Sequence, residues 1–412
     1  MSSFLCYNIF KDGGNMIKFD FQTYIKPFID ENKFNELYSK KNEYIDKLNS
    51  LEMTGWKKEI DRNTINNIEQ TANYIKSNFE CLVVIGIGGS FLGSYSFHQA
   101  FKKYFNDNSF EVIYAGTTLS SKYLDELYEY LKDKNFCINV ISKSGTTMET
   151  TITYNLLKDL LKRKYSEEEV RRRIIVTTDK ETGNLRKEVN EKGYISFEIP
   201  SDIGGRYSFM TPAHLLPLAL NYNLKDIVDG YYDGKRFIDK AFEYAVIRKL
   251  LFDNKKQVEC FTVYEESLYY FTEWLKQLFG ETEGKNNVGI YPTSMVHTRD
   301  LHSLGQFVQE GNKILFETFI KIDNTKHFIK YNNDDLHTIN NIVEDSVERA
   351  HFSGNTPCIE IELDELNESN LSELIYFFML SAAFSGLLFG VDPFNQPGVE
   401  VYKKEVKESL NK

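Results

Sequence analysis

Apolar residues along the chain follow two rhythms, and the alternation between them predicts the architecture. Short, mostly apolar runs, led by the unbroken Cys81 to Ile85, recur at 81–85, 111–115, 136–142, 173–177 and 194–199. Runs of that length read as strands buried on both faces. Helix-spaced positions lie between them, as in Ile152, Leu156, Leu157, Leu160 and Leu161. A second set follows at 258–263, 288–291, 314–320 and 357–363, with helical patterns over 269–279 and 371–389. Alternating β and α elements imply parallel sheets covered by helices on both faces. The predicted fold class is therefore α/β: two tandem three-layer sandwiches, each with a mainly parallel sheet flanked by helices.

Residues 19–78 read as amphipathic helices, with Leu37, Ile45, Leu48 and Leu51 at helix spacing and a turn at Gly55 and Trp56. A charged, aromatic-rich helical connector is expected over 225–254. Pro212 and the apolar run 215–220 are read as the start of the second unit. The boundaries expected are an N-terminal extension at 1–16, N-terminal helices plus the first sandwich at 17–210, the second sandwich at 211–395 and a C-terminal arm at 396–412.

Bulk numbers narrow the function. At 412 residues the chain can hold two ordinary domains, and 42% hydrophobic with 26% charged residues describes a soluble globular protein. A formal charge of -11 argues against nucleic acid or a membrane surface as partner. Cysteines at 6, 81, 137, 260 and 358 are odd in number and widely spaced, so neither a disulfide framework nor a paired-cysteine metal site is expected, and a cytoplasmic location fits. No secretory leader is read in residues 1–15. The uncharged stretch 374–391 approaches membrane-spanning length, but it carries Ser381 and Ser385 and lacks basic flanks, so a buried core helix is expected.

The strongest chemical signal lies where the strand ending at Ile141 gives way to Ser142, Lys143, Ser144, Gly145, Thr146 and Thr147 before a helix. A helix N-terminus has unpaired N–H groups and a positive dipole end, and four hydroxyls add neutral donors at one place. Phosphate is the natural occupant. A second loop, Gly86-Ile87-Gly88-Gly89-Ser90, follows the strand 81–85, and both loops fall at carboxyl ends of strands, where parallel sheets bind ligands. A dinucleotide fingerprint needs glycine at position 91, where Phe91 stands, so NAD is disfavoured; Gly284-Lys285 lacks the glycine spacing of a P-loop. Gly204-Gly205 presents Arg206, a fixed cation suited to an oxyanion. Glu281 and Glu283 sit in a glycine-bounded turn, and the five-residue spacing of His297 and His302 is not that of a zinc helix.

Taken in order, the segments VIGIGGSFLG, ISKSGTTMET, DIGGRYSFMTP, FGETEGK, DLHSLGQFVQEG and DPFNQPGVEVYKK, spanning 84–404, resemble the glucose-6-phosphate isomerases, in their shorter bacterial form. That resemblance implies two sugar-isomerase (SIS) domains. It implies a phosphate loop at Ser142, Lys143, Ser144 and Thr147, with Gly89 and Ser90 on the sugar side. It implies Arg206 as the fixed cation, Glu281 as the base, His302 with Lys403 for ring opening, and Gln277 and Gln396 at the family's glutamine positions. It also implies a homodimer with shared active sites, because the histidine arrives from the other subunit, and chemistry that needs no metal or organic cofactor. Two other readings remain open at this stage: a non-catalytic SIS-domain sensor of sugar phosphates, and a bifunctional isomerase that also takes mannose 6-phosphate.

Overall fold

The computed structural model describes residues 17–410, so the expected extension at 1–16 and Cys6 lie outside the described residues. The strands in chain order are β1 (Ile17–Asp20), β2 (Cys81–Ile85), β3 (Glu111–Ala115), β4 (Phe136–Ile141), β5 (Ile174–Thr178), β6 (Ile195–Glu198), β7 (Val258–Val263), β8 (Tyr291–Val296) and β9 (Leu315–Asn324), then a small hairpin of β10 (Lys330–Tyr331) and β11 (Asp334–Asp335), and β12 (Cys358–Glu365). They form two five-stranded sheets in two compact units, Asp46–Val228 and the chain up to Ile45 joined with the chain from Asp229.

In the unit Asp46–Val228 the sheet order is β3-β2-β4-β5-β6, parallel throughout. Every residue of β2, β4 and β5 is buried. Helices covering both faces explain why these strands read as unbroken apolar runs rather than alternating ones. Cys81 to Ile85 pair with Phe136 to Val140 in register, so β2 and β4 are neighbours and their carboxyl ends emerge side by side. That adjacency brings the 86–90 and 142–147 loops to one edge.

In the other unit the order is β1-β12-β9-β7-β8, with β1 antiparallel and the rest parallel. The division differs from the expected one at two places. Residues 17–45 do not belong with the first sandwich: Ile17 and Phe19 of β1 pair with Leu363 and Ile361 of β12, closing the edge of the second sheet. A four-residue edge strand is too short to show a period against the helices that follow it. The second unit also begins at Asp229 rather than 211, because the helix Pro212–Leu218, wholly buried, lies in the first unit.

Two further elements are placed differently. The strand expected at 288–291 is β8, Tyr291–Val296, because Asn286 (φ 52°), Asn287 (φ 60°) and Gly289 (φ 111°) make a left-handed turn that ends only at Ile290. The connector expected over 225–254 contains a core helix, Ile238–Asp253, buried at nearly every position from Ala241 to Leu251. It packs on the helix Glu368–Leu388, with Phe242 and Phe384 edge to face at 5.3 Å. That second helix is apolar enough to cross a membrane by composition, and it is buried at every position from Asn370 to Leu388.

The interior here is more polar than composition suggests. Arg248 is completely buried; its Nε donates to Glu259 (2.8 Å), its Nη1 to Ser385 Oγ (2.6 Å), and its guanidinium is paired with Glu283 as well. Glu259 accepts in addition from the hydroxyls of Tyr244 and Thr318. Burial works against the charge, yet the two carboxylates outweigh it and hold the guanidinium above its ordinary range. This network fastens the carboxyl-terminal end of the helix Tyr269–Glu283 to the core.

Candidate active site

In the unit Asp46–Val228, Ser142 follows β4 and is tied into the sheet by its N–H to Thr177 O (3.1 Å), while its carbonyl accepts from Thr178 Oγ1 (2.7 Å). Its hydroxyl accepts from Gly145 N (3.0 Å), and Ser144 Oγ accepts from Thr146 N (3.3 Å) and Thr146 Oγ1 (2.9 Å). Part of the hydroxyl set therefore shapes its own loop. Gly145 has φ 67°, and a Cβ there would lie 2.8 Å from Leu185 N, so glycine is required for the chain to turn. Thr147 is the N-cap of the helix Met148–Lys164, with its side chain making no cap bond. Lys143 points its Nζ at the carbonyls of Ser201 (3.0 Å) and Pro200 (3.4 Å), which join the hydroxyl loop 142–147 to the segment leading to Arg206.

The glycine turn Gly88–Ser90 packs against the turn Gly205–Tyr207 that carries Arg206. A Cβ on Gly89 would sit 2.2 Å from Gly205 C, so the two turns approach as closely as they do only with glycine at 89. Arg206 is 1% exposed, with its guanidinium carbon 5.7 Å from the centre of the Tyr207 ring. Trp56, expected at a mere turn, is buried against Tyr207 at 5.3 Å.

His214 was not singled out by the sequence, yet it braces these turns. Its Nδ1 accepts from Ser94 N (2.9 Å). The backbone N–H can only donate, so the ring proton sits on Nε2 and is given to Gly89 O (2.7 Å). Ser208 Oγ, 3.1 Å from Nε2, reaches both Gly89 O and Gly205 O. The ring is fully buried, and burial pushes its pKa down to about 4. The sequence signal is a lone imidazole in the apolar stretch 209–220.

A His214→Phe change keeps the shape but leaves Ser94 N unpaired and frees Gly89 O from the ring. We expect kcat to fall about 10- to 100-fold with a smaller change in KM, in steady-state assays, because the two turns lose register. The neutral ring also fixes a pH dependence. His98 is likewise held down to about 4 by burial. Both lie below the unfolded value near 6.5, so their contribution is complete above pH 6.5 and is lost as pH falls toward 4. At pH 5 each costs about 2 kcal/mol, readable as a falling midpoint in urea titrations that His214→Phe should blunt.

In the other unit the structure pairs two predicted residues. Gln277 Nε2 donates to Glu281 Oε1 (3.2 Å) across one turn of the helix Tyr269–Glu283. Glu281 is therefore not in a loop, as its glycine neighbours suggested, but on the last turn of a helix. Its neighbour Glu283 faces the core and holds Arg248. Gln277 keeps a buried Oε1 with no hydrogen-bond partner.

His302 ends the short turn Arg299–His302 and is exposed; among the described residues no hydrogen bond or ion pair engages its ring. The turn is shaped by Asp300, which accepts from Val296 N (2.7 Å). Leu304 and Phe307 beside it are 46% and 45% exposed. Lys403 lies on the helix Val399–Leu410, none of it buried, and pairs with Glu400 (2.8 Å) rather than with His302. Gln396 is exposed in the preceding turn. The structure thus joins Gln277 to Glu281, and the hydroxyl loop to the Arg206 segment, but does not join His302 to Lys403.

Two mainly parallel α/β sandwiches, the first with glycine and hydroxyl loops at its strand carboxyl ends, give the fold of the sugar-isomerase class. The same fold occurs in a Thermus thermophilus hypothetical protein (TM-score 0.84, 24% identity, covering 96% of this chain and all of that one) and in a glucose-6-phosphate isomerase from Chlamydia trachomatis (TM-score 0.80, 18% identity, 93% and 86%). The phosphoglucose isomerase family model matches residues 62–342. A glucose-6-phosphate isomerase of Staphylococcus haemolyticus is 41% identical over 384 residues, 87% of each chain, and one of Staphylococcus aureus is 41% identical over 377 residues, 86% of this chain and 85% of that one. The chain belongs to the phosphoglucose isomerase family.

Proposed function

We propose that the protein interconverts glucose 6-phosphate and fructose 6-phosphate by proton transfer through a cis-enediol. The observation that carries this reading is the 41% identity over 87% of the chain to a protein called glucose-6-phosphate isomerase. Aldose and ketose differ by a proton moved between neighbouring carbons, so one carboxylate, Glu281, removes it from C2 and returns it at C1. Gln277 donates to that carboxylate and orients it. The enediol develops negative charge on oxygen, and Arg206, held rigidly in its buried turn, stabilises it without reorganising. Ser142, Lys143, Ser144 and Thr147 receive the phosphate at the N-terminus of the helix Met148–Lys164, with Gly89 and Ser90 toward the sugar. His302 and Lys403 open the sugar ring, and Gln396 contacts the substrate from the turn before Lys403.

The exposed His302 ring, flanked by exposed Leu304 and Phe307, supports a homodimer in which this histidine serves the partner's site. Cys81, Cys137, Cys260 and Cys358 are buried free thiols, which supports a cytoplasmic location. A non-catalytic sensor could dispense with Glu281, His302, Arg206 and Lys403, all present here.

The test is fructose 6-phosphate consumption coupled to glucose-6-phosphate dehydrogenase, read as NADPH absorbance; no turnover, with the sugar phosphate still raising the melting temperature, would replace the enzyme by a sensor. Mixing inactive Glu281→Gln and His302→Ala chains tests the shared site. Recovery of activity requires one chain to complete the other, and no recovery would refute it.

A further inference from the structure

We propose that His297, Glu317 and His351 form a buried binding site for one divalent transition-metal ion. The three come from different elements: His297 directly follows β8, Glu317 lies on β9, and His351 is in the last turns of the helix Leu336–Ser353. One ligand atom from each lies within 4.8 Å of the others, and all three residues are buried. Two imidazoles and one carboxylate are the donor set of zinc and related borderline ions.

The ordinary alternative is a carboxylate held between two histidines, and half of the arrangement fits it. Glu317 Oε2 lies 2.6 Å from His351 Nδ1, and Oε1 accepts from Thr262 Oγ1 at 3.1 Å. His297 does not fit it. Its Nε2 is 3.8 Å from Glu317 Oε1, beyond hydrogen-bond length, and neither ring nitrogen has a partner although the side chain is fully buried. An orphaned imidazole aimed at a carboxylate is costly in an interior, and a cation between the two removes the cost on both sides. The Tyr264 hydroxyl is a further buried group without a partner, on a ring 5.3 Å from that of His297. With metal–ligand bonds of about 2.0–2.2 Å, tetrahedral ligand atoms lie about 3.4 Å apart, so His297 draws inward while the 2.6 Å contact of His351 with Glu317 opens and the ion takes the place of its proton.

The ion would fasten the helix Leu336–Ser353 to the sheet. It would also anchor the start of the turn Arg299–His302, which begins two residues after His297. Its role is structural, entered during folding, and independent of the isomerase reading.

The test uses the whole chain, stripped with a chelator and reloaded with Zn²⁺. We expect about one zinc per chain retained through gel filtration, a melting temperature about 5 °C higher than the stripped protein, and a visible d–d band on Co²⁺ substitution. His351→Gln and His297→Phe should lose all three signals while keeping their circular dichroism. Less than about 0.1 zinc per chain with no thermal shift in the wild type overturns the proposal. Undiminished binding in the variants also overturns it, because the ion is then elsewhere. If the variants fail to fold, the wild-type stoichiometry and thermal shift decide alone.

Discussion

Glu281→Gln is expected to lower kcat by about 10³- to 10⁴-fold while the protein still binds fructose 6-phosphate. The substitution removes the carboxylate proposed to accept the C2 proton and changes little else, because Gln retains a carbonyl oxygen for the bond from Gln277 Nε2. The residue is on a helix whose end is fixed by Glu283 and Arg248, so the backbone has no reason to move. Loss in kcat with KM within about threefold indicates an interaction used in the transition state and not in ground-state binding. The measurement is steady-state kinetics in both directions, with calorimetric titration of fructose 6-phosphate into the variant. A variant retaining a tenth or more of wild-type kcat removes Glu281 from the role of base.

Arg248→Met is expected to cost about 3–5 kcal/mol of stability, because it leaves two carboxylates buried without their cation. Glu259 and Glu283 are both wholly buried, and Arg248 donates to each while its guanidinium carbon lies 4.1 Å from the centre of the Phe279 ring. Methionine fills much of the same volume, so the loss measures the unpaired charges rather than a void. Urea titrations should show a lower midpoint with an unchanged slope. Adding Glu259→Gln and Glu283→Gln to the same chain should recover most of the loss, since neutral groups no longer need a counter-ion. A single substitution costing under 1 kcal/mol would mean that water reaches the carboxylates. Catalysis gives a second readout, because Glu283 lies two residues from Glu281: kcat should fall in Arg248→Met even where the chain is fully folded.

The contrast between Glu281 and Glu283 shows how far a sequence reading extends. Both carboxylates stand in one glycine-bounded segment and look alike in a string of letters. One is half-buried beside Gln277, and the other is closed into the core against Arg248, which lies 35 residues earlier and within an apolar stretch. Helical phase separates their two faces, but only the packing partner decides which face meets the core.

What the sequence determined by itself was everything encoded locally. Runs such as Cys81 to Ile85 and Phe136 to Ile141 read as doubly covered strands, because they are mostly apolar, of strand length and bounded by turn residues. The hydroxyl loop after Ile141 is legible because strand, glycine and helix start are consecutive in the chain. The tertiary structure alone decided the membership of β1 in the far sheet, where Ile17 meets Leu363, and the bracing of Gly89 by His214 across 125 residues. It alone brought His297, Glu317 and His351 together. Polar groups inside a protein are stabilised by whichever partner the fold delivers, and periods of 2 and 3.6 residues carry no information about a partner a hundred positions away.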